Sequence, residues 1–175
     1  MSMLETNRLQ IRLMEESDLE TVRQIHNQSE TLFFLSDPFH VSEEEQVQWF
    51  KRLSLSRSSR RYVIQSKDLN VICGVIRLDR IDHTNKSLEI GADVSKDYRR
   101  RGIALEAYGC ILQYVFSSLG MNRVSLVTLA SNVAAKSLYK RLGFKIEGKQ
   151  RKAIFRNGKY EDLIMMSLLS NEFIG

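Results

Sequence analysis

The chain of 175 residues is 43% hydrophobic and 27% charged, which is typical of a soluble globular protein with one core, so we expect a single domain over residues 1–175. No apolar run approaches the roughly 20 residues that a membrane span needs, and the N-terminus lacks a signal-peptide pattern, which predicts a cytoplasmic protein that does not contact a membrane. The formal net charge of +5 does not by itself indicate nucleic acid, because no nucleic-acid-binding motif accompanies the basic residues.

The first fifty residues predict one strand, two helices and a loop. Leu9–Leu13 alternates between apolar and polar residues, as in a strand that is buried on one face. Capping-box patterns at Ser17–Glu20 and Ser42–Glu45 each predict the start of a helix. Residues 31–39 are apolar and hold the only proline, so they predict a connecting loop that packs against the core or lines a pocket, of which packing is the more common role.

The middle of the chain predicts three antiparallel strands followed by a helix. The β-rich runs 62–65 and 71–78 predict a hairpin, and residues 88–94 predict a third strand after a turn. From Ile103 onward, apolar residues recur at steps of three and four, which predicts a helix that ends near Gly120.

The last third of the chain predicts a strand, a helix and a hairpin. Residues 123–129 are rich in strand-forming side chains, and Asn132 is suited to cap a helix. The dipeptide Asn157-Gly158 lies between the β-like runs 153–155 and 160–168, and it is a strong local signal for a hairpin. The resulting order is β-α-α-β-β-β-α-β-α-β-β.

A loop suited to binding an anion lies between the third of the antiparallel strands and the helix that follows. A strand, a tight turn and a helix N-terminus leave several backbone N–H groups without an intrahelical partner. Gly102 lets the backbone turn tightly or approach a ligand, Ala104 keeps the first helical turn thin, and the helix dipole favours negative charge at that end. A diphosphate is the ligand that this loop, residues 99–104, predicts.

The loop resembles motif A of the GNAT family of N-acetyltransferases, Arg/Gln-x-x-Gly-x-Gly/Ala, at Arg99, Gly102 and Ala104. A second stretch, from Asn132 to Phe144, is similar to the family signature Asn-x-x-Ala/Ser-x-x-x-Tyr-x-x-x-Gly-Phe. The resemblance covers nearly the whole chain and implies a GNAT fold, an α/β (α+β) architecture in which a mixed, mostly antiparallel central sheet is flanked by helices. It also implies acetyl-CoA as cosubstrate. The two cysteines predict buried apolar side chains, so we expect no metal site.

The resemblance implies roles for individual residues. Backbone groups of Ala92, Asp93 and Val94, at the end of the third antiparallel strand, would bind the pantetheine arm. The loop would bind the diphosphate through Arg99, Arg100, Arg101, Gly102, Ile103 and Ala104. Asn132, Ala135 and Tyr139, at and after the start of the last predicted helix, would complete the acetyl-CoA site. Tyr139 would also be the general acid for the leaving thiolate, because a phenol with an ordinary pKa near 10 stays protonated at neutral pH. Without the resemblance, Asn132 is a helix cap and Tyr139 a half-buried aromatic residue.

A general base must take a proton from the acceptor ammonium. Glu89 stands in a Glu-Ile-Gly context in which many relatives carry an acidic residue, and we expect it to act through a water molecule. Asp79, Asp93 and an ordered water alone are the alternatives, because a carboxylate with an ordinary pKa near 4.3 is a poor base.

The acceptor amine is the least defined part of the reaction. Residues 157–162, Asn-Gly-Lys-Tyr-Glu-Asp, resemble a pattern shared by spermidine N-acetyltransferases and ribosomal-protein N-terminal acetyltransferases. Residues 1–50 hold 3 Lys and Arg against 10 Asp and Glu, which favours a polyamine-like cation. However, Ser36 and Asp37 stand where the polyamine enzymes carry an acidic pair at a regulatory site. Peptide N-termini, amino sugars and a catalytically silent acyl-CoA sensor are the alternatives, and homodimer formation, known among relatives, stays open.

Overall fold

The computed structural model describes residues 4–174, which form one seven-stranded sheet with helices on both faces. The strands are β1 (Leu9–Leu13), β2 (Arg60–Ser66), β3 (Val71–Asp82), β4 (Ser87–Val94), β5 (Arg123–Leu129), β6 (Lys145–Arg156) and β7 (Lys159–Leu169). The helices are α1 (Leu19–His26), α2 (Ser29–Leu32), α3 (Glu43–Ser54), α4 (Ile103–Ser117) and α5 (Val133–Arg141). The sheet order is β1-β2-β3-β4-β5-β7-β6, and only β4 and β5 pair in parallel. None of the helices within residues 4–174 has the length and apolar character to cross a membrane.

The predicted order of strands and helices is confirmed, with the four-residue helix α2 as an addition. The predicted hairpin also forms, because Asn157 and Gly158 both adopt positive φ, 47° and 78°, as a two-residue turn with the twist of the strands requires. Strands β6 and β7 are longer than the predicted runs. Two bulges in β6 let its pairing with β7 continue through residues that do not alternate between apolar and polar side chains.

Each face of the sheet carries its own hydrophobic cluster. Helix α4 lies on one face, and its residues Ala107, Tyr108 and Ile111 have at most 1% of their surface exposed, as the predicted apolar stripe requires. On the other face, α1 and α3 cover a smaller cluster around Val63 and Val75. Burial of one large apolar side chain stabilises the fold by about 1.5–3 kcal/mol. The helix that follows the predicted diphosphate loop is therefore anchored in the main core.

One of the two predicted capping boxes is wrong. At α3 the box forms as predicted, because the Glu45 amide donates to Ser42 Oγ at 3.3 Å and the Ser42 amide donates to Glu45 Oε2 at 2.8 Å. At α1 the Asp18 carboxylate instead accepts from the Glu15 amide at 2.8 Å. This contact fixes a short 3-10 turn ahead of the helix, so α1 begins without the Ser17–Glu20 box.

Candidate active site

A cavity of about 950 Å³ lies between the α1–α3 side of the fold and the ends of β4 and β5. It brings together most of the predicted site residues, which are Glu89, Ala92, Asp93, Val94, Arg99, Ala104, Asn132, Ala135 and Tyr139. The remaining four do not line it: Arg100, Arg101 and Gly102 are exposed beside it in the chain, and Ile103 is buried in the core. Within residues 4–174, no group of three His, Cys, Asp or Glu side chains is placed to hold a metal ion.

The cavity exists because β4 and β5 separate. The two strands pair only from Ser87 to Glu89, although β4 continues to Val94 and β5 to Leu129. Beyond Glu89, β4 keeps its pairing with β3, where Ala92 lies opposite Ile76. The other edge of β4 therefore faces a gap in the sheet, which can accept an extended ligand through backbone hydrogen bonds.

The N-terminus of α4 has the geometry of an anion site. Gly102 precedes the helix with a φ of 77°, a conformation in which a side chain is strained. Because glycine has no side chain, the amide groups of the first turn of this 15-residue helix receive no side-chain cap. The free amides and the positive end of the helix dipole are both available to a diphosphate.

The three arginines of the loop have different surroundings. Arg99 turns inward, and its guanidinium donates to the Val94 carbonyl and to Thr31 Oγ1, both at 2.9 Å. Arg100 and Arg101 are exposed. The Arg99 side chain therefore shapes the loop from inside, whereas the other two arginines face the solvent from which a ligand arrives.

Sequence reasoning missed the ion pair that neutralises the first turn of α4. Glu106 lies in this turn, where an unpaired carboxylate repels a phosphate. Arg8 Nε donates to Glu106 Oε2 at 2.8 Å, and Thr6 also donates to the carboxylate. Burial raises the pKa of Glu106, but these two donors outweigh it and hold the pKa below its ordinary value. Arg8 also donates to the Arg101 carbonyl at 3.2 Å, which fixes the loop to the N-terminal segment.

Tyr139 is buried where α5 meets the cavity. Only 8% of its surface is exposed, its ring packs edge-on against Tyr108, and the two hydroxyl oxygens lie 3.4 Å apart. Burial raises the pKa of Tyr139 above that of an ordinary phenol, so the hydroxyl is protonated at neutral pH. At the start of the same helix, Asn132 Oδ1 accepts from the Ala135 amide at 3.1 Å. The interpretation of Asn132 as a helix cap is thus confirmed, and its part in ligand binding stays a prediction.

Each candidate base is paired with an arginine. The pairs are Asp79 with Arg61, Asp93 with Arg77 and Glu89 with Arg80. The side chains of Arg61 and Arg77 are 11% and 30% exposed, whereas that of Arg80 is 79% exposed. An ion pair with a partner in solvent contributes about 0–1 kcal/mol, so the pair between Glu89 and Arg80 costs the least free energy to break.

Gly91, two residues after Glu89, has a physical role that the sequence did not reveal. A Cβ at Gly91 would lie 2.6 Å from Arg77 Nη2 and 3.1 Å from its Nε, so a larger residue would displace this guanidinium from its present position. Arg77 in turn pairs with Asp93. The Glu-Ile-Gly context therefore provides both a carboxylate and the space for an arginine in the same wall.

The apolar segment predicted to pack against the core or to line a pocket contributes to the cavity. Residues 33–42, the α2–α3 loop, connect the two helices, and Phe34, Leu35, Ser36, Asp37 and Phe39 contribute to the cavity wall. Phe39 remains 75% exposed. Lining a pocket, one of the two predicted roles, is therefore confirmed for the loop, whereas Thr31 and Leu32 at the start of the segment belong to α2 and are buried.

Comparisons with known proteins gave matches along nearly the whole chain. A family model described as an acetyltransferase (GNAT) domain matches residues 8–145. The chain is 30% identical over 173 residues to the "Putative ribosomal N-acetyltransferase YdaF" of Bacillus subtilis (strain 168), across 94% of this chain and 93% of that protein. It is 25% identical over 167 residues to the spermidine N(1)-acetyltransferase of Escherichia coli (strain K12), across 95% and 88% of the two chains. A solved structure of spermidine N-acetyltransferase from Vibrio cholerae in complex with CoA and spermine has the same fold, with a TM-score of 0.91 at 23% identity over 97% of this chain and 100% of that one.

Proposed function

The chain belongs to the GNAT acetyltransferase family, and on that premise we propose that it transfers the acetyl group of acetyl-CoA directly to a primary amine of a small, polyamine-like cation. The observation that carries the proposal is the gap between β4 and β5, because one cavity there is lined both by Ala104, at the start of α4, and by the buried Tyr139. Both substrates are bound together in this proposal, so that no acetylated enzyme is needed.

Acetyl-CoA is held mainly by backbone groups in this proposal. The free edge of β4 at Ala92, Asp93 and Val94 pairs with the pantetheine arm, and the first turn of α4 binds the diphosphate. Alignment of two reactants contributes about 7–11 kcal/mol in well-oriented reactions, which makes it the largest contribution to the rate. The ordered sheet edge and the helix N-terminus supply it.

Two side chains carry the proton transfers. Glu89 takes a proton from the acceptor ammonium through a water molecule, and the neutral amine nitrogen then attacks the thioester carbonyl carbon. As the new C–N bond forms, the C–S bond breaks and the thiolate takes the proton of the Tyr139 hydroxyl. The raised pKa of Tyr139 keeps the group protonated until the thiolate forms, and the resulting phenolate regains a proton through solvent from the protonated Glu89.

The cavity lining supports a cationic acceptor with methylene segments. Six carboxylates and four arginines line it; they are Glu30, Asp37, Glu45, Asp79, Glu89 and Asp93, with Arg52, Arg61, Arg77 and Arg99. The net charge is therefore negative, which concentrates cations at low salt. Apolar side chains from Phe34, Leu35 and Trp49 lie among these groups and offer contacts to a carbon chain. The spermidine N(1)-acetyltransferases at 24–25% identity support the same class of acceptor.

A peptide N-terminus is the second candidate acceptor. It is favoured by the relative at 30% identity, whose name assigns it to ribosomal N-acetylation. A peptide would extend beyond the cavity, whereas a polyamine ends within it.

An acceptor panel distinguishes these candidates. Thiol release from acetyl-CoA is measured with spermidine, spermine, amino sugars and short peptides side by side. We expect saturable activity with a polyamine. Activity with peptides alone would assign the second candidate, and tight CoA binding without activity on any amine would identify a silent acyl-CoA-binding domain.

A further inference from the structure

The α2–α3 loop is held at its N-terminal half by an arginine from the other end of the chain. Arg156, the last residue of β6, is 9% exposed and donates to the carbonyl oxygens of Phe33 at 3.0 Å, Leu35 and Ser36 at 3.3 Å. Three backbone carbonyl oxygens of one short segment thus accept hydrogen bonds from a single guanidinium group, whose planar, rigid shape allows it to donate several hydrogen bonds at once. More than 120 positions separate Arg156 from Leu35 and from Phe33.

The other half of the loop has its own attachment. The side chain of Asn27 donates to the Val41 carbonyl and accepts from the Val41 amide, both at 2.9 Å. Phe34 and Leu35, which line the cavity, lie within the segment that Arg156 holds, and Asp37 lies between this segment and Val41. The position of this part of the cavity wall therefore depends on Arg156 at one end and on Asn27 at the other, with His26 Nε2 3.1 Å from the Phe39 carbonyl oxygen between them.

We propose that Arg156 is a positioning residue for the amine acceptor: it holds residues 33–36 so that Phe34, Leu35 and Asp37 form the acceptor-side wall of the cavity. This inference rests on the proposed function. Without Arg156, three carbonyl oxygens lose their donor and turn toward water, and the loop moves away from the cavity. The acidic and apolar groups that would contact a polyamine then lose their fixed positions.

The effect is expected on one substrate only. The acceptors of Arg156 are carbonyls of the α2–α3 loop and of its neighbour Phe155, and none belongs to residues 92–104, where acetyl-CoA is proposed to bind. Arg99 differs in this respect, because it joins the diphosphate loop to Thr31 in α2. A change at Arg156 therefore separates acceptor binding from acetyl-CoA binding.

The test compares Arg156→Ala and Arg156→Lys with a matched control, Arg151→Ala, which removes the same charge from an exposed position on the same strand. Two measurements are made on each full-length variant: steady-state kinetics with spermidine and acetyl-CoA, and hydrogen–deuterium exchange of residues 29–41. For R156A we expect the spermidine KM to rise at least tenfold, the acetyl-CoA KM to stay within twofold, and the amides of Phe34 and Leu35 to exchange faster. R156K should show smaller changes of the same kind, and R151A should match the wild type.

Each result decides the proposal. An unchanged spermidine KM in R156A, or an equal rise in both KM values, would overturn the positioning role. If R156A does not fold, R156K decides by the same two measurements. If the wild type acetylates no amine, the proposed function fails. The control of the loop by Arg156 is then tested by exchange alone: faster exchange of the loop in R156A with unchanged CoA affinity would uphold this control, and unchanged exchange would overturn it.

Discussion

Replacing Gly102 with alanine tests the proposed diphosphate site. Gly102 has a φ of +77°, and a residue with a side chain pays about 1–2 kcal/mol in this left-handed region. A Cβ there would have only Arg8 Nη2 within 4 Å, at the ordinary contact distance of 3.4 Å, so there is space for it. The cost is therefore conformational. If the loop avoids this conformational cost by adopting a different backbone conformation in the free protein, then binding of CoA must restore the strained one. A cost of about 1–2 kcal/mol corresponds to roughly 5- to 30-fold weaker binding of CoA.

Calorimetric titration with CoA measures this effect directly. We expect the Kd of Gly102→Ala to rise within that range while the KM of the amine stays within twofold. Gly109→Ala is the matched control, because it adds the same methyl group to the same helix where a Cβ would meet nothing within 4 Å. If Gly102→Ala bound CoA as tightly as Gly109→Ala, the backbone conformation at this position could not be what builds the anion site.

Three further outcomes are expected. Tyr139→Phe keeps the buried ring and removes the proposed acid, so kcat should fall by about 10²- to 10⁴-fold while the CoA affinity measured by calorimetry stays unchanged. An undiminished kcat would show that another group donates the proton to the thiolate. Glu89→Gln should lower kcat, with Asp79→Asn as the comparison, and a wild-type rate would require a different base. Stability should fall as the pH rises from 10 to 12, because burial raises the pKa of Tyr62 to about 12 and favours the neutral phenol in the folded state. The Tyr62 part of this loss is about 2–3 kcal/mol, measured in denaturant titrations as the difference between the wild type and Tyr62→Phe, and equal losses in the two proteins would show that other groups cause it.

Local patterns were sufficient to predict most of the fold. The Asn157-Gly158 hairpin was predictable because its turn needs two residues that tolerate positive φ, and the Ser42–Glu45 box was predictable because both of its hydrogen bonds join residues three positions apart. The Ser17–Glu20 capping box does not form, although its sequence pattern matches that of the Ser42–Glu45 box. Asp18 is bound by Arg12 of β1 at 2.7 and 2.8 Å, and this tertiary contact fixes the turn that precedes α1.

The candidate site was predictable only where a motif is continuous in sequence. Motif A led to Arg99 and Ala104, and the Asn132–Phe144 signature led to Asn132, Ala135 and Tyr139, all of which line one cavity. The ion pair between Arg8 and Glu106 joins residues 98 positions apart, and the contact of Arg77 with Gly91 depends on the register of β3 against β4. The hydrophobic pattern of a single segment carries no information about partners that are distant in sequence, so these contacts could be identified only from the folded structure.

The separation of β4 from β5 has a mechanical consequence for the whole molecule. Three residue pairs, from Ser87 with Arg123 to Glu89 with Ser125, are the only rungs that join a four-stranded half of the sheet to a three-stranded half. In the proposed complex, the pantetheine arm would lie in the gap next to this junction and pair with β4. A ligand that binds only the folded chain adds about 2.7 kcal/mol of stability at 100 times its Kd. The proposed acetyl-CoA site therefore adjoins the two neighbouring strands that share the fewest paired residues, so bound ligand would stabilise the fold where the sheet itself is least connected.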